Sequence, residues 1–424
     1  MRKIICAPEN LIPQQLEDNT KYFSTYSNPR RGVGYFAPDL KKTIERVGLR
    51  PSVIVWDFTT IALSVAAADN SLNREASADG WTRQINLTIH LCEPAAWEPV
   101  KKDFQNTLRF LTGDFWELTF LEGGINPPYA KKMKQHDGDC VSLLSGGVDS
   151  LVGAIDLVSD KHSPLFVSQV VKGDAKTQRK YAQQIRSGST HFQWSHKIHP
   201  PKGESEKSTR GRSIIFFAFA ALAASAITTQ GDNPVPIYVP ENGFISLNIP
   251  LNSGRMGSFS TKTTHPVYLA GIQKVWYALG MNMELITPYQ FKTKGELLSE
   301  CKDKDLLYEL IADSTSCGKY LPNGHQHCGR CVPCMVRMAA FLKAGITDNT
   351  NKGYKFAFDG FTRRGPNDVG AMATACVKIS QSGIQPIISG NLAFAQSKER
   401  KNYQGVVSRG FKEIESLLQE NRVL

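Results

Sequence analysis

Cys140-Val-Ser-Leu-Leu-Ser145-Gly-Gly-Val-Asp149-Ser150-Leu-Val-Gly-Ala-Ile-Asp-Leu-Val158 is the stretch whose reading decides the fold. Residues 140–144 form a short apolar run, as a strand buried on both faces does, and 151–158 continue as an apolar helix. Between them, Gly146 and Gly147 let the backbone come close to an anion. The helix start adds N–H groups without intrahelical acceptors and the positive end of the helix dipole. The hydroxyls of Ser145 and Ser150 suit phosphate oxygens. Asp149 is an unusual neighbour for phosphate. It fits there as a helix cap or as a group that orients Mg2+ on a pyrophosphate.

Outward from this motif, strand and helix alternate over residues 136–345. Leu165-Phe-Val-Ser-Gln-Val-Val171, residues 192–198, residues 235–239 and Met283-Glu-Leu-Ile-Thr287 read as further strands. Residues 175–185 read as a basic helix and 213–227 as a helix apolar on all sides. That rhythm predicts a parallel, doubly wound α/β sheet with helices on both faces. Residues 1–135 read as a β-rich accessory domain, with strands at Val53-Ile-Val-Trp-Asp-Phe58, Ile85-Asn-Leu-Thr-Ile-His-Leu91 and Phe115-Trp-Glu-Leu-Thr-Phe-Leu121. Residues 346–424 read as an extension ending in an amphipathic helix near 410–419, with Phe411, Ile414, Leu417 and Leu418 on one face.

Four cysteines stand out downstream: Cys317, then Cys328-Gly-Arg-Cys331-Val-Pro-Cys334. Three thiols at two-residue gaps fit a tight turn running into a helix, and Cys317 closes the set from the preceding loop. Four soft ligands suit tetrahedral zinc, and with no open position the metal is structural. The remaining cysteines (6, 92, 140, 301 and 376) show no pairing pattern, which fits a reducing cytoplasm better than a disulfide scaffold. Met1-Arg-Lys-Ile-Ile-Cys-Ala-Pro has too short an apolar run for a signal peptide, and the apolar stretch 213–227 is shorter than the ~20 residues a bilayer requires. The expectation is a cytoplasmic protein with no membrane partner. A formal charge of +11 and a pI near 9.1 favour an anionic partner, a nucleotide or pyrophosphate ahead of nucleic acid.

The Ser-Gly-Gly-Val-Asp-Ser loop after a strand resembles the pyrophosphate loop of the N-type ATP pyrophosphatases. With C-x10-C-x2-C-x2-C downstream, residues 138–342 resemble the QueC family, the 7-cyano-7-deazaguanine synthases. Arg210-Gly-Arg212-Ser213 is similar to that family's Arg-containing helix start, which faces the phosphates. Thr293-Lys294-Gly-Glu296 is similar to its T-K-x-E segment, whose Lys reaches phosphate. The resemblance implies ATP and Mg2+ held by Ser145, Gly146, Gly147, Val148, Asp149, Ser150, Arg212 and Lys294. Of these, Ser145, Asp149, Arg212 and Lys294 are nearest the chemistry. It also implies adenylation of a carboxylate with release of pyrophosphate, then attack by an amine.

The chain departs from the stand-alone synthases in its extra N- and C-terminal regions. It looks more like the enlarged QueC-like proteins of bacterial anti-phage operons, such as the QatC component of the Qat system, which implies a partner protein from the same operon. The segments Pro240-Glu241-Asn242-Gly-Phe-Ile-Ser246 and 255–266 fall where the family has its deazaguanine pocket but do not carry its usual residues. Glu241 and Asn242 follow a strand and suit the amino and lactam edge of a guanine-like base. Arg255 suits a substrate carboxylate, Thr264 joins it as a candidate substrate-binding residue, and His265 is a proton carrier or simply a loop histidine before Pro266.

Other features carry less. Gly32-Val-Gly34 lacks a preceding strand for a dinucleotide loop, and no Walker A motif is present. His191, His196 and His199 read as solvated or satisfied histidines rather than ligands. His325 and His327 are spare zinc donors. The charged segment 197–212 is an active-site lid or a solvated loop. Two other classes stay open: a tRNA-modifying transferase on the same fold, and a non-catalytic ATP-binding component of a defence complex.

Overall fold

The computed structural model describes residues 2–170, 174–203, 205–206, 208–228, 232–251, 262–357 and 368–424. A first sheet holds β1 (Arg2–Ala7), β2 (Thr20–Thr25), β3 (Gly34–Phe36), β4 (Gln84–Leu91) and β5 (Phe115–Glu122), in the order β3-β2-β1-β4-β5. A second holds β6 (Cys140–Leu143), β7 (Pro164–Gln169), β8 (His191–Trp194), β9 (Val235–Tyr238) and β10 (Met283–Ile286), in the order β10-β9-β6-β7-β8. Every pairing in both is parallel. Each sheet therefore has the same winding, and each reverses direction beside its first strand. In the second sheet the reversal lies between β6 and β9. It brings the segments after those two strands together at the carboxyl edge, where α/β folds bind ligands.

The α/β expectation holds, with one correction. Residues 53–58, expected as a strand, open the Val53–Ser71 helix, whose N-cap Ser52 accepts a hydrogen bond from the Val55 N–H at 3.3 Å. The β-branched start suggested a strand. The run continues apolar to Ala68 because this helix is buried on nearly every side, and periodicity cannot separate such a helix from a buried strand. By length and composition the helix could cross a membrane, but 83% of its apolar window is buried within the fold.

This helix packs against the Ile214–Ala224 helix, which is also buried all round, as expected. Together they join the sheets into one continuous apolar core, running from Ile4 and Leu87 through Phe58 and Phe217 to Val141 and Val167.

Charged groups pin the same junction. Arg74 binds both oxygens of Asp114 at 2.8 Å, and Arg83 bridges Asp114 and Asp69, all nearly inaccessible to water. The other Asp69 oxygen accepts the backbone N–H groups of Arg210 and Gly211 at 2.6 Å, and Glu206 accepts the N–H of Arg74 at 2.8 Å. Tyr35 and His199 exchange backbone hydrogen bonds at 2.9 and 2.8 Å. The described part of 197–212 is therefore a strap anchored on the first-sheet region. Asp69 fixes the start of the turn that carries Arg212.

The C-terminal residues add the Val369–Ser382 and Ser397–Glu420 helices, which pack on the Val332–Ala344 helix in a second apolar cluster. The expected amphipathic helix is present and longer, with Phe411, Ile414, Leu417 and Leu418 buried. Gly410 permits its close approach, since a Cβ there would lie 2.4 Å from the Phe244 ring.

Candidate functional site

The 145–150 loop joins β6 to the Val148–Ser159 helix. Gly146 takes φ +90°, a left-handed conformation that glycine adopts without strain. The Ser145 and Ser150 hydroxyls lie 3.0 Å apart, and Ser150 Oγ accepts the Ser145 N–H at 3.1 Å. The loop is thus shaped by its own serines, while the first-turn N–H groups of the helix lack intrahelical acceptors. A cavity of about 210 Å3 opens on it, lined by Ser145, Gly147, Asp149, Glu241, Lys294 and Thr315 among others.

Asp149 sits at the centre. One oxygen pairs with the Lys294 ammonium; the other accepts the Asn242 side-chain amide at 2.6 Å and its backbone N–H at 3.2 Å. The contact spans the β6/β9 reversal. Burial pushes the Asp149 carboxyl up, but the Lys294 charge and its hydrogen bonds hold it low. Burial and the Asp149 charge push Glu241 well above the usual carboxylate range. The Glu241 and Asp149 side chains are hydrogen-bonded to one another. Two adjoining carboxyl groups on a phosphate-type loop are a donor set that suits a divalent cation.

Lys294 begins the Lys294–Ser299 helix behind the Thr293/Glu296 capping box. Glu413, from the Ser397–Glu420 helix, accepts the Thr293 hydroxyl and, at 3.3 Å, the Gly295 N–H. The tail helix thus holds the residues on either side of Lys294.

Burial pushes Glu413 up to about 7, above the usual 4.5, against the Thr293 and Gly295 hydrogen bonds; Glu296 raises it and Lys343 lowers it. The native state then binds the proton more tightly than the unfolded chain, so this group costs stability as pH rises from 4.5 to 7. The whole loss over that range amounts to roughly 3 kcal/mol. Glu413→Gln is expected to flatten the fall in urea stability between pH 5 and 7.5. An unchanged fall would place the titration elsewhere.

Of the remaining expected residues, Arg212 is exposed, and its charge acts on Asp174 and His196. Asp174 lies beside Gly146, as does Gln178, whose amide donates to the Ser145 carbonyl at 3.1 Å. Thr264 joins Glu241 in a second cavity of about 240 Å3 at the carboxyl ends of β9 and β10. Glu241 lines both cavities. Arg255 lies outside the described residues.

His265 caps the Pro266–Ala278 helix, its Nδ1 accepting the Val267 N–H at 3.2 Å. Its ring lies between Phe110 and Phe394, and burial pushes its pKa down to about 4. That geometry suits a neutral positioning residue rather than a proton carrier. His191 pairs with Ser168 at 2.8 Å and His196 with Gln169 at 3.0 Å, as satisfied histidines.

The four cysteines are buried together, with all four Sγ atoms within 4.8 Å of one another. Cys317 and Cys331 are 3.9 Å apart, Cys328 and Cys334 3.8 Å. A tetrahedron with Zn–S bonds of about 2.3 Å has edges of about 3.8 Å, so the cluster fits structural zinc. Backbone N–H groups of Lys319 and Cys328 reach the Cys317 sulfur, and those of Arg330 and Cys331 reach Cys328. Such donors favour the thiolate. The cluster also touches the loop: Thr315, two residues before Cys317, donates its N–H to the Gly146 carbonyl at 2.9 Å. Arg337, fully buried, fixes the same segment through Ser314 Oγ at 2.6 Å and the Ile311 carbonyl at 3.1 Å. Thr315, Asp174, Gln178 and Glu413 had no sequence motif to announce them.

Comparison with known proteins bears on this geometry. The profile of the family described as queuosine biosynthesis protein QueC matches residues 263–345, which contain Lys294 and all four cysteines. The chain is 39% identical over 66 residues to the 7-cyano-7-deazaguanine synthase of Paracoccus denitrificans, covering 16% of this chain and 26% of the relative. It is 40% identical over 72 residues to the enzyme of the same name from Methanocaldococcus jannaschii, covering 16% and 30%. The chain therefore matches between a quarter and a third of these relatives' length. The matched family segment does not reach the 145–150 loop or Glu241.

Proposed function

We propose that this protein is a QueC-like, ATP-dependent enzyme that adenylates the carboxylate of a 7-carboxy-7-deazaguanine and passes the acyl group to an amine. The observation that carries the reading is the pair of cavities meeting at Glu241, one on the 145–150 loop and one at the ends of β9 and β10. That arrangement suits a triphosphate in the first and a small carboxylic acid in the second. The QueC match across Lys294 and the cysteines supports it.

In this reading residues 136–345 carry the chemistry, and 1–135 and 346–424 support it. The loop N–H groups and serine hydroxyls bind the phosphates of ATP. Lys294 and Arg212 offset charge on the leaving pyrophosphate. Asp149 and Glu241 are the carboxylates that would hold Mg2+, which supplies further charge neutralisation. The substrate carboxylate oxygen attacks the α-phosphorus as the bond to the β-phosphate oxygen breaks, and pyrophosphate leaves. The amine nitrogen then attacks the acyl carbon, the bond to AMP breaks, and the nitrogen loses a proton. With ammonia the product is an amide, which a second ATP can activate to lose AMP and become a nitrile. With a protein amine the product is a conjugate. The added regions are consistent with the second outcome, a cytoplasmic partner protein in a QatC-like anti-phage system.

The test incubates the protein with Mg·ATP and 7-carboxy-7-deazaguanine, adding ammonia or candidate protein amines, and follows AMP, pyrophosphate and product mass. The reading expects release that depends on the deazaguanine, with either a nitrile or a mass-shifted protein. Release that depends on tRNA instead, or ATP binding without release, would overturn it in favour of a tRNA-modifying or a non-catalytic role.

A further inference from the structure

The β9/β10 cavity is not built by the synthase-like residues alone. Glu399 and Tyr403, from the first two turns of the Ser397–Glu420 helix, line it together with Thr264 and Glu241. Both lie beyond the segment that matches QueC. At about 240 Å3 the cavity is on the scale of one fused heterocycle, below the roughly 300–1,000 Å3 of drug-sized sites.

Most polar groups in its wall are engaged with the protein. Both ends of the Gln273 amide bind the β10 backbone, at Met283 O and Leu285 N, each at 2.8 Å. Gln290 Oε1 accepts the Tyr403 hydroxyl at 3.3 Å. Glu241 is tied to Asp149 at the junction with the loop cavity. The second carboxylate of the wall is Glu399, half-buried and hydrogen-bonded to the Tyr403 hydroxyl, which leaves further acceptor capacity on its two oxygens. It lines this cavity and not the loop cavity. For a substrate that presents its carboxylate at the Glu241 junction, Glu399 is the carboxylate of the wall left to meet the donors of its ring. In a guanine-type ring the amino–lactam edge carries two adjacent donors, the ring N–H and the exocyclic amine, which a carboxylate accepts with two oxygens.

We infer that the tail helix completes the base pocket and that Glu399 reads the amino–lactam edge of the deazaguanine, as a specificity-determining residue. This rests on the adenylation reading above. The role is one of recognition, so Glu399→Gln should raise KM far more than it lowers kcat.

The experiment measures binding of 7-carboxy-7-deazaguanine, and of the analogue lacking the 2-amino group, to the wild-type chain and to Glu399→Gln. Wild type should favour the parent about 10- to 100-fold, as expected for hydrogen bonds to a charged acceptor. The variant should bind the parent more weakly by a similar factor and tell the two ligands apart poorly. Full discrimination by a folded Glu399→Gln would overturn the assignment and leave the adenylation reading standing. So would equal binding of both ligands by wild type, which needs no variant. No binding of either ligand by wild type would overturn both.

Discussion

Lys294→Met is expected to lower deazaguanine-dependent pyrophosphate release by about 10^3-fold, at the upper end for loss of one preorganised charge or donor in a site closed to water. Lys294 is only 7% exposed and reaches the loop at Asp149. Removing it also strands a buried carboxylate, a change that typically costs about 3–5 kcal/mol. Folding loss and catalytic loss are therefore separated by the double variant Asp149→Asn/Lys294→Met. Neutralising both members should recover most of the urea stability and none of the activity. Recovery of activity along with stability would mean that Lys294 serves the fold alone.

Cys328→Ser, or prolonged chelation, is expected to have the largest effect on stability. Structural zinc in small peptides contributes about 10–16 kcal/mol of apparent binding energy that is also folding energy. In this larger fold the loss should begin locally, in the segment from Ser314 to Cys331. The consequence for the site is specific, because Thr315 leaves the Gly146 carbonyl and the loop loses one wall. Zinc content should fall to background, amide exchange should quicken over 314–331 and at the loop, and ATP binding should weaken. A purified wild-type protein without tightly held metal, matched by an equally stable Cys328→Ser variant, would contradict the zinc assignment.

Parts of the site with local grammar were legible in the sequence. The loop is a strand, two glycines and a helix start in succession, and the buried cysteine cluster is a run of thiols at the spacing of zinc ligands. Both signals are contained within a few residues. The strands of the second sheet followed from apolar runs bounded by turn residues. The 53–58 segment misled because a helix buried on all sides and a buried strand share one apolar pattern. His265 was ambiguous because its role is set by Phe110 and Phe394, which come from distant parts of the chain. The ionic junction of Asp69, Arg74, Arg83 and Asp114 was invisible for the same reason, since a buried pair and a solvated pair look alike in one dimension. Glu413 and Glu399 sit on an amphipathic helix whose period shows which face is apolar. It does not show what the other residues meet. Only packing of that helix on the Val332–Ala344 helix brings one glutamate to the Lys294 helix and the other to the β9/β10 cavity.

The most direct test of the central claim is isotope exchange between pyrophosphate and ATP, measured with and without 7-carboxy-7-deazaguanine and with no amine present. Adenylation of the carboxylate is reversible before the amine arrives, so the account predicts exchange that appears with the deazaguanine and disappears in Lys294→Met. Absence of exchange in a protein that binds both ATP and the deazaguanine would contradict the account, as would exchange indifferent to the deazaguanine.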